Sequence, residues 1–257
     1  MDTEIIYLVT RADDAGSTQG ANLAIREACE WGIARNISLM APCQHLEHAH
    51  QVLGRLKGVD FGLHITLNAE WDNPRWGPVL SVEEVPNLVE TDGTFTRHPD
   101  LLQEKCPSTD QMLREIRAQL ARVREVGFDP VYIDEHMGVG RVGELYDAIK
   151  DLARQEGLIY QPVLGRLPAV EVKETDPQRR YAAKLAQAVT FTKPGRYLVV
   201  GHPCYDYEDV RAISRAGTAP GEVAQDRCGQ RRMFTETTIM ALWQKGIFKP
   251  IRYSELT

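Results

Sequence analysis

Two adjacent carboxylates, Asp13 and Asp14, follow the first apolar run of the chain, which covers residues 5–10. Neighbouring carboxylates repel each other, and folding tolerates them best when a cation lies between them or when one of them holds a proton. The pair therefore suggests a cation site or a general base. The alternative interpretation is an Asx turn that joins a strand to a helix, because aspartate is common in such turns.

Three histidines occupy comparable positions in later apolar runs. His64 lies inside one run, His136 follows Asp134 and Glu135 at the end of another, and His202 ends a third. Each histidine alone could be a hydrogen-bonded core or loop residue. Ionisable residues that end a hydrophobic run are nevertheless costly unless they serve a site. The three histidines are therefore candidate site residues.

A carboxylate and two imidazoles can form a facial ligand set that leaves coordination positions open. Such a set suits a divalent metal ion that must also bind water and substrate. A second carboxylate can then act as a base, and a further histidine as an acid. The residue types predict a metal-assisted hydrolytic site, provided that the fold brings them together.

Apolar runs alternate with amphipathic segments along the chain, which predicts parallel strands joined by helical crossovers in an α/β fold. The predicted strands cover residues 5–11, 37–41, 61–67, 131–135, 159–163, 197–201 and 247–253, and the predicted helices cover 20–34, 46–56, 110–126, 143–156, 177–189 and 229–245. Seven strands without a clear break favour one barrel over two domains. In a parallel barrel all strand C-termini meet at one rim, so the aspartates and histidines are expected to converge there.

Residues 68–108 form a long stretch with little periodicity, directly after the third predicted strand. A loop of this length is uncommon unless it is functional. It would lie on the face where barrels place their sites. A second irregular stretch, residues 206–224, could cover the same face.

Composition narrows the classes of partner and compartment. The 257 residues carry a net charge of -6, which argues against a nucleic-acid or anionic-membrane partner. No apolar stretch approaches the roughly 20 residues of a membrane helix, and residues 1–4 do not resemble a signal peptide. The five cysteines form no Cys-x-x-Cys pair, so a reducing cytoplasm is expected. The close spacing of His45, His48 and His50 resembles a metal-binding tract, but the three residues are interpreted as a solvated helix start.

Motifs along nearly the whole chain resemble the YdjC-like carbohydrate deacetylases, the family that includes chitooligosaccharide deacetylase. The matching segments are Ala-Asp-Asp-x-Gly at 12–16, Gly-Leu-His-Ile-Thr-Leu-Asn at 62–68, Ile-Asp-x-His at 133–136, His-Pro at 202–203 and Glu-Val-Ala-x-Asp-Arg at 222–227. The resemblance implies one distorted (β/α) barrel of about seven parallel strands, of the glycoside hydrolase/deacetylase type. It also implies a single domain over residues 1–257, with an insertion at about 68–108. The implied activity is metal-dependent removal of acetyl groups from N-acetylated sugars.

The resemblance assigns roles residue by residue. Asp14, His64 and His136 would hold a divalent ion, Mg²⁺ or Zn²⁺, and Asp13 would be the general base or a metal-supporting carboxylate. The division of labour between the two aspartates stays open. His202 would protonate the leaving amine. The family relation also suggests that the protein forms a homodimer. Asp134 or Glu135 would orient His136, because ligand imidazoles usually donate their second N–H to an acceptor.

The long insertion offers candidate substrate contacts, Trp71, Trp76 and Arg75. Tryptophan rings suit the C–H face of a sugar, and Arg75 could contact hydroxyl groups. The alternative is that both rings pack the loop onto the barrel. Stacking predicts weaker saccharide affinity in an alanine variant, whereas anchoring predicts lower thermal stability.

The chain departs from the family pattern around these motifs. Arg11 stands where the family usually has Asn, Ala15 where it has Phe, Gly138 and Gly140 where a His-x-His falls, and Cys204 where His-Pro-Gly has Gly. A substrate other than chitooligosaccharides is therefore plausible. A sugar- or metal-binding homologue that has lost catalysis is the main alternative. A glycoside hydrolase would use two carboxylates across the scissile bond, but it leaves the histidines unexplained.

Overall fold

A curled sheet of parallel strands forms the centre of the protein. The computed structural model describes residues 4–160, 162, 164–173 and 175–256. Its strands are β1 (Ile6–Ala15), β2 (Asn36–Leu39), β3 (Asp60–Ile65), β4 (Pro130–Glu135), β5 (Ile159–Tyr160), β6 (Gly165–Arg166), β7 (Gly195–Gly201) and β8 (Phe248–Ile251). The order is β5-β4-β3-β2-β1-β7-β6, and β8 pairs with β1. Within the described residues β5 and β6 do not pair, so the sheet is an open, distorted barrel, and the predicted α/β fold is confirmed.

Nine α-helices in the described residues connect and cover these strands. They are α1 (Gln19–Glu30), α2 (Leu46–Leu53), α3 (Pro99–Glu104), α4 (Thr109–Val126), α5 (Leu145–Glu156), α6 (Arg180–Phe191), α7 (Glu208–Arg211), α8 (Glu222–Thr235) and α9 (Thr237–Gln244). None of them is both long enough and apolar enough to cross a membrane.

The structure differs from the predicted elements in three places. The single helix predicted at 229–245 is two helices, because Glu236 takes an extended conformation between them. Strand β6 has only two residues, so it leaves no apolar run to detect. The fifth predicted strand keeps only Ile159–Tyr160, and two of its positions, 161 and 163, lie outside the described residues.

The concave side of the sheet has its own apolar cluster, separate from the main core under the helices. Tyr7 and Val9 of β1 meet Tyr132 of β4 and Ile251 of β8 across the barrel. Gly62 makes room for this cluster, because a Cβ at that position would lie 2.3 Å from the Tyr132 ring. Side chains therefore fill the barrel interior, as in other small barrels.

A bulge near the end of β1 sets the direction of both aspartates. The pairing of β1 with β2 changes register between Ala12 and Ala15, and Asp14 has a positive φ of 66°. In a regular strand, consecutive side chains point to opposite faces. A bulge inserts a residue and redirects the chain, and both Asp13 and Asp14 are buried here.

The long insertion is fixed to the barrel through one buried carboxylate. Glu115 of α4 is fully buried and accepts hydrogen bonds from the backbone N–H of Val79 and of Leu80, at 2.9 and 3.0 Å. Gln119 donates to Glu115 and also bonds both backbone groups of Thr66, just after β3. The insertion is therefore tied to the chain that leaves the His64 strand.

The two irregular stretches also join each other. Asn73 and Ser214 form an isolated antiparallel bridge, and the Asp72 carboxylate accepts from the backbone N–H of Ala216 at 2.8 Å. The second stretch therefore lies against the first, on the same face of the molecule.

Replacing Glu115 with Ala should destabilise the protein by about 1–3 kcal/mol, because it leaves two backbone N–H groups and the Gln119 amide without their acceptor. Urea denaturation measures this change, and limited proteolysis within residues 68–108 should accelerate. Glu125→Ala, at an exposed position of the same helix, is the matched control. Equal stability of the two variants would show that Glu115 does not anchor the insertion.

Candidate metal centre

Three potential ligand atoms converge where β1, β3 and β4 end. Oδ1 of Asp14 lies 3.6 Å from Nε2 of His64 and 3.7 Å from Nδ1 of His136. The two ring nitrogens are 3.3 Å apart. The exposed fractions of the three residues are only 2–5%. The structure thus brings together the residues that the sequence suggested as ligands.

The chemistry of this triangle fits a divalent cation. Within the described residues, Asp14 Oδ1 is buried and has no hydrogen-bond partner. The facing imidazole nitrogens would repel through their lone pairs unless a proton or a cation lay between them. A triangle with these sides admits an ion at about 2.0–2.2 Å from each atom, which is the range of zinc bonds to nitrogen and oxygen.

Each of the three side chains is oriented by a second contact. Nδ1 of His64 lies 3.0 Å from Asp134, and Nε2 of His136 lies 2.8 Å from Glu70. A ring N–H donated to a carboxylate leaves the other nitrogen free for a metal. The remaining Asp14 oxygen, Oδ2, accepts from Arg227 at 2.7 Å.

These contacts correct the predicted support of His136. Asp134 orients His64 instead, and Glu135 accepts from Tyr160 and from the backbone N–H of Gly140. The carboxylate that holds His136 is Glu70, which sequence reasoning missed because the insertion has no periodicity. Its only signal was an acidic residue shortly after the His64 strand.

Buried charges shift the pKa values of the centre. Although burial opposes the change, Arg227, His202 and His136 hold the pKa of Asp14 well below its usual range. Burial would lower the pKa of His136, but Glu70 and Asp14 raise it to about 10. For His64, burial is likewise outweighed by Asp134 and Asp13, so its pKa is raised. Metal ligation requires neutral imidazoles, so metal binding should release protons.

Asp13 has a different environment from Asp14. Nε and Nη2 of Arg11 contact its two oxygens at 2.7 and 2.8 Å, and Nη1 of Arg11 also contacts Asp134 at 2.9 Å. A second possible ligand group, Asp13, His64 and Asp134, is thus already neutralised by a guanidinium. This geometry favours Asp14 as the ligand and leaves Asp13 beside the centre.

His202 follows β7 and belongs to the same end of the barrel. Its Nδ1 lies 2.9 Å from Oε1 of Gln230 on α8, and it lies near enough to Asp14 to affect that carboxyl electrostatically. By contrast, the triplet His45, His48 and His50 belongs to no metal-type cluster within the described residues.

The insertion residues predicted to contact substrate make protein contacts. Trp76 is 6% exposed and donates to the backbone oxygen of Asn68, and Arg75 donates to Thr94 and to the backbone oxygen of Phe95. These contacts favour the anchoring interpretation for both residues. Trp71 is partly buried, with the guanidinium groups of Arg215 and Arg227 at 5.5 and 5.9 Å from its ring.

Part of the insertion lines a cavity. Residues 73–76, together with residues 17–18 and 43–45 of the loops after β1 and β2, line a cavity of about 180 Å³. Cys43 in this lining is close enough to the centre for Asp14 and Glu70 to add to the effect of burial in raising its pKa.

The fold and site define a parallel α/β half-barrel protein with a buried histidine–aspartate centre at the C-terminal ends of its strands. A family model described as YdjC-like protein matches residues 7–245. The chain therefore belongs to the YdjC-like family.

Curated relatives give the family a biochemical context. The carbohydrate deacetylases of Thermoanaerobacter pseudethanolicus and Geobacillus stearothermophilus are both 31% identical, over 153 and 170 residues, which cover 59% and 65% of this chain. A chitooligosaccharide deacetylase of Enterobacter is 24% identical over 152 residues, 59% of this chain. The matches span 58%, 65% and 57% of these relatives, so each leaves over a third of the relative unmatched.

A solved structure with a similar fold aligns over nearly the whole chain. A protein of Enterococcus faecalis, provisionally described as a cellobiose-phosphate cleavage protein, superposes with a TM-score of 0.76 over 98% of both chains. Its sequence identity is 19%, so the likeness supports the fold alone.

The metal-free protein should lose stability as the pH rises, because the folded pKa of His136 near 10 exceeds the ordinary value of 6.5. Stabilisation by the charged ring is fully present below about pH 6.5 and is lost as the pH rises through 10. Unfolding of chelator-treated protein between pH 6 and 10 measures this loss, whose slope is at most about 1.4 kcal/mol per pH unit. His136→Asn should flatten the dependence of the free energy of unfolding on pH. An unchanged slope in this variant would contradict the raised pKa of His136.

Glu70→Gln should weaken metal binding by about 10–100-fold, because it replaces the carboxylate that orients His136. Calorimetric titration of chelator-treated protein with Zn²⁺ measures the affinity. Glu83→Gln, an exposed change in the same insertion, should leave it unchanged. Wild-type affinity in the Glu70 variant would exclude the orienting role.

Proposed function

We propose that this protein is a metal-dependent hydrolase that removes an acetyl group from an N-acetylated sugar or oligosaccharide. The observation that carries the proposal is the buried triangle of Asp14, His64 and His136, in which Asp14 Oδ1 lacks a partner within the described residues. Membership of the YdjC-like family and the carbohydrate deacetylases among its relatives supply the substrate class.

The proposed ligands are Asp14, His64 and His136, and the ion is Mg²⁺ or Zn²⁺. When bound, such an ion supplies Lewis acidity, which polarises an acetyl carbonyl and makes a water more acidic. Arg227 and the two carboxylates Glu70 and Asp134 hold the ligands in place. This support keeps the ligand atoms pre-organised.

The proton transfers would fall to Asp13 and His202. Asp13 takes a proton from the attacking water, and its bidentate contact with Arg11 fixes its orientation. His202 gives a proton to the departing nitrogen as the C–N bond breaks. The products are acetate and a free amino sugar, and solvent exchange afterwards returns both residues to their starting protonation states.

A second candidate function, a sugar- or metal-binding homologue without catalysis, is favoured by one observation. Arg11, where the family usually has Asn, occupies both oxygens of the proposed base Asp13. A glycoside hydrolase with Asp13 and Glu135 as its two carboxylates has less support, because Glu135 is engaged by Tyr160 and the Gly140 backbone.

The remaining expectations concern the whole protein. We propose a single domain with its insertion at about 68–108, acting on a sugar and not on nucleic acid or membrane. All five cysteines are free, which supports a cytoplasmic setting, because reducing compartments keep thiols unpaired. A homodimer stays a prediction that size measurement in solution can test.

The deacetylase proposal predicts acetate release from N-acetylglucosamine or an N-acetylated oligosaccharide. The release should stop after chelation and return with Mg²⁺ or Zn²⁺.

His64→Ala and His136→Ala should each lower metal affinity at least about tenfold. Asp13→Asn should keep the metal but lower kcat by about 10²-fold or more, whereas Asp151→Asn, an exposed charge change, should alter neither.

Other outcomes of these experiments would identify a different function or reverse the roles of the two aspartates. Sugar and metal binding without acetate release across the substrate panel would identify a binding homologue. Cleavage of a glycosidic bond with the acetyl group retained would identify a glycosidase. Loss of metal in Asp13→Asn but not in Asp14→Asn would reverse the two aspartate roles.

A further inference from the structure

One side of helix α8 is polar where it faces the candidate centre. Asp226, Arg227 and Gln230 lie within one turn of it. Arg227 holds Asp14, as described above. Asp226 and Gln230 belong to a separate series of hydrogen bonds that ends on His202. The proposed reaction gives this hydrogen-bond series no role.

The side-chain amide of Gln230 has an unambiguous orientation. Its Oε1 lies 2.7 Å from the backbone nitrogen of His202, which can only donate. Its Nε2 lies 2.7 Å from Oδ2 of Asp226, a carboxylate that accepts. A flipped amide would lose both bonds, since it would oppose donor to donor and acceptor to acceptor.

This orientation decides which ring nitrogen of His202 carries hydrogen. Nδ1 lies 2.9 Å from the same Oε1 of Gln230. Because Oε1 can only accept, Nδ1 must donate, so Nδ1 keeps its hydrogen in both the neutral and the charged ring. The proton that His202 gains and loses is therefore carried by Nε2.

The other end of this hydrogen-bond series, at Tyr181 and Asp226, holds the Gln230 amide in place. Tyr181 of α6 donates its hydroxyl to Oδ1 of Asp226, so the two oxygens of this carboxylate have separate partners. The resulting hydrogen-bond series runs from Tyr181 through Asp226 and Gln230 to His202, and it connects two helices with the end of β7.

We propose that Gln230 is a positioning residue that fixes His202 as the Nδ1–H tautomer and so presents Nε2 as the proton donor to the leaving amine. This inference rests on the proposed deacetylase function. The charged ring gives its Nε2 proton to nitrogen as the C–N bond breaks and becomes neutral with Nδ1–H unchanged. Solvent then restores the Nε2 proton.

The role of Gln230 should appear in the leaving-group dependence of the reaction. An amine is a poor leaving group and needs the proton, whereas the nitrophenolate of an aryl acetate leaves without it. Gln230→Leu should therefore lower kcat for the N-acetylated sugar by about 10–100-fold. Its KM and metal content should stay near wild type, and aryl acetate hydrolysis should change less than about twofold.

Two further variants separate positioning from a general structural effect. Gln225→Leu makes the same change at an exposed position of α8 and should leave amide hydrolysis unaffected. Gln230→Glu combined with Asp226→Asn retains an acceptor for Nδ1 and supplies an amide donor opposite it, so this double variant should recover part of the lost kcat. An equal loss of amide and ester hydrolysis in Gln230→Leu, or no loss of either, would overturn the proposal.

Nitrogen NMR of histidine-labelled holoenzyme tests the tautomer without any turnover. At a pH where His202 is neutral, its Nδ1 should show the signal of a protonated ring nitrogen and Nε2 that of an unprotonated one. A His202→Asn spectrum assigns the signals, and Gln230→Leu should lose the fixed tautomer. A wild-type ring protonated on Nε2 would refute the inference, even if acetate release failed to appear in any assay.

Discussion

The compensation of buried negative charge is the constraint on which the site depends. Asp13, Asp14, Glu70 and Asp134 are all buried at one end of the barrel. Unpaired carboxylates would be strongly unfavourable there. Two guanidinium groups, from Arg11 and Arg227, neutralise half of this charge, and the imidazoles of His64 and His136 add hydrogen bonds to Asp134 and Glu70. Two oxygens of these carboxylates have no hydrogen-bond partner in the described residues, Asp14 Oδ1 and Asp134 Oδ1, and Asp14 Oδ1 is the one that faces both histidines.

Segments outside the regular elements make this charge pattern possible. The bulge at the end of β1 buries two consecutive aspartates. The insertion contributes Glu70, and Glu115 and Gln119 of α4 hold that insertion in place. The site therefore relies on packing of the insertion as much as on the strands, because the orientation of His136 depends on a residue of the loop.

Helix α8 contacts both the candidate metal ligand Asp14 and the proposed proton donor His202. Arg227 contacts the candidate ligand Asp14, and Gln230 contacts His202, three residues later on the same helix. A small movement of this helix would disturb both contacts together. Trp71 packs against Arg227 from the insertion, so the predicted sugar-stacking residue also belongs to the support of the centre.

The sequence by itself determined the alternation of strands and helices and the candidate residues at the strand ends. Apolar runs reveal buried strands, and a barrel topology places their ends at one rim, so the two aspartates and the three histidines could be grouped without coordinates. The family resemblance then selected Asp14, His64 and His136 as the ligands. It also identified the segment that contains Arg227 as matching the family, but gave that residue no role.

The tertiary structure alone decided which groups orient these residues. Arg227 contacts Asp14 across 213 positions of sequence, and Glu70 contacts His136 across 66. Gln230 reaches His202 from a helix whose polar inner face gives no amphipathic signal. Such pairings depend on where a loop and a distant helix pack, and local periodicity carries no information about that packing.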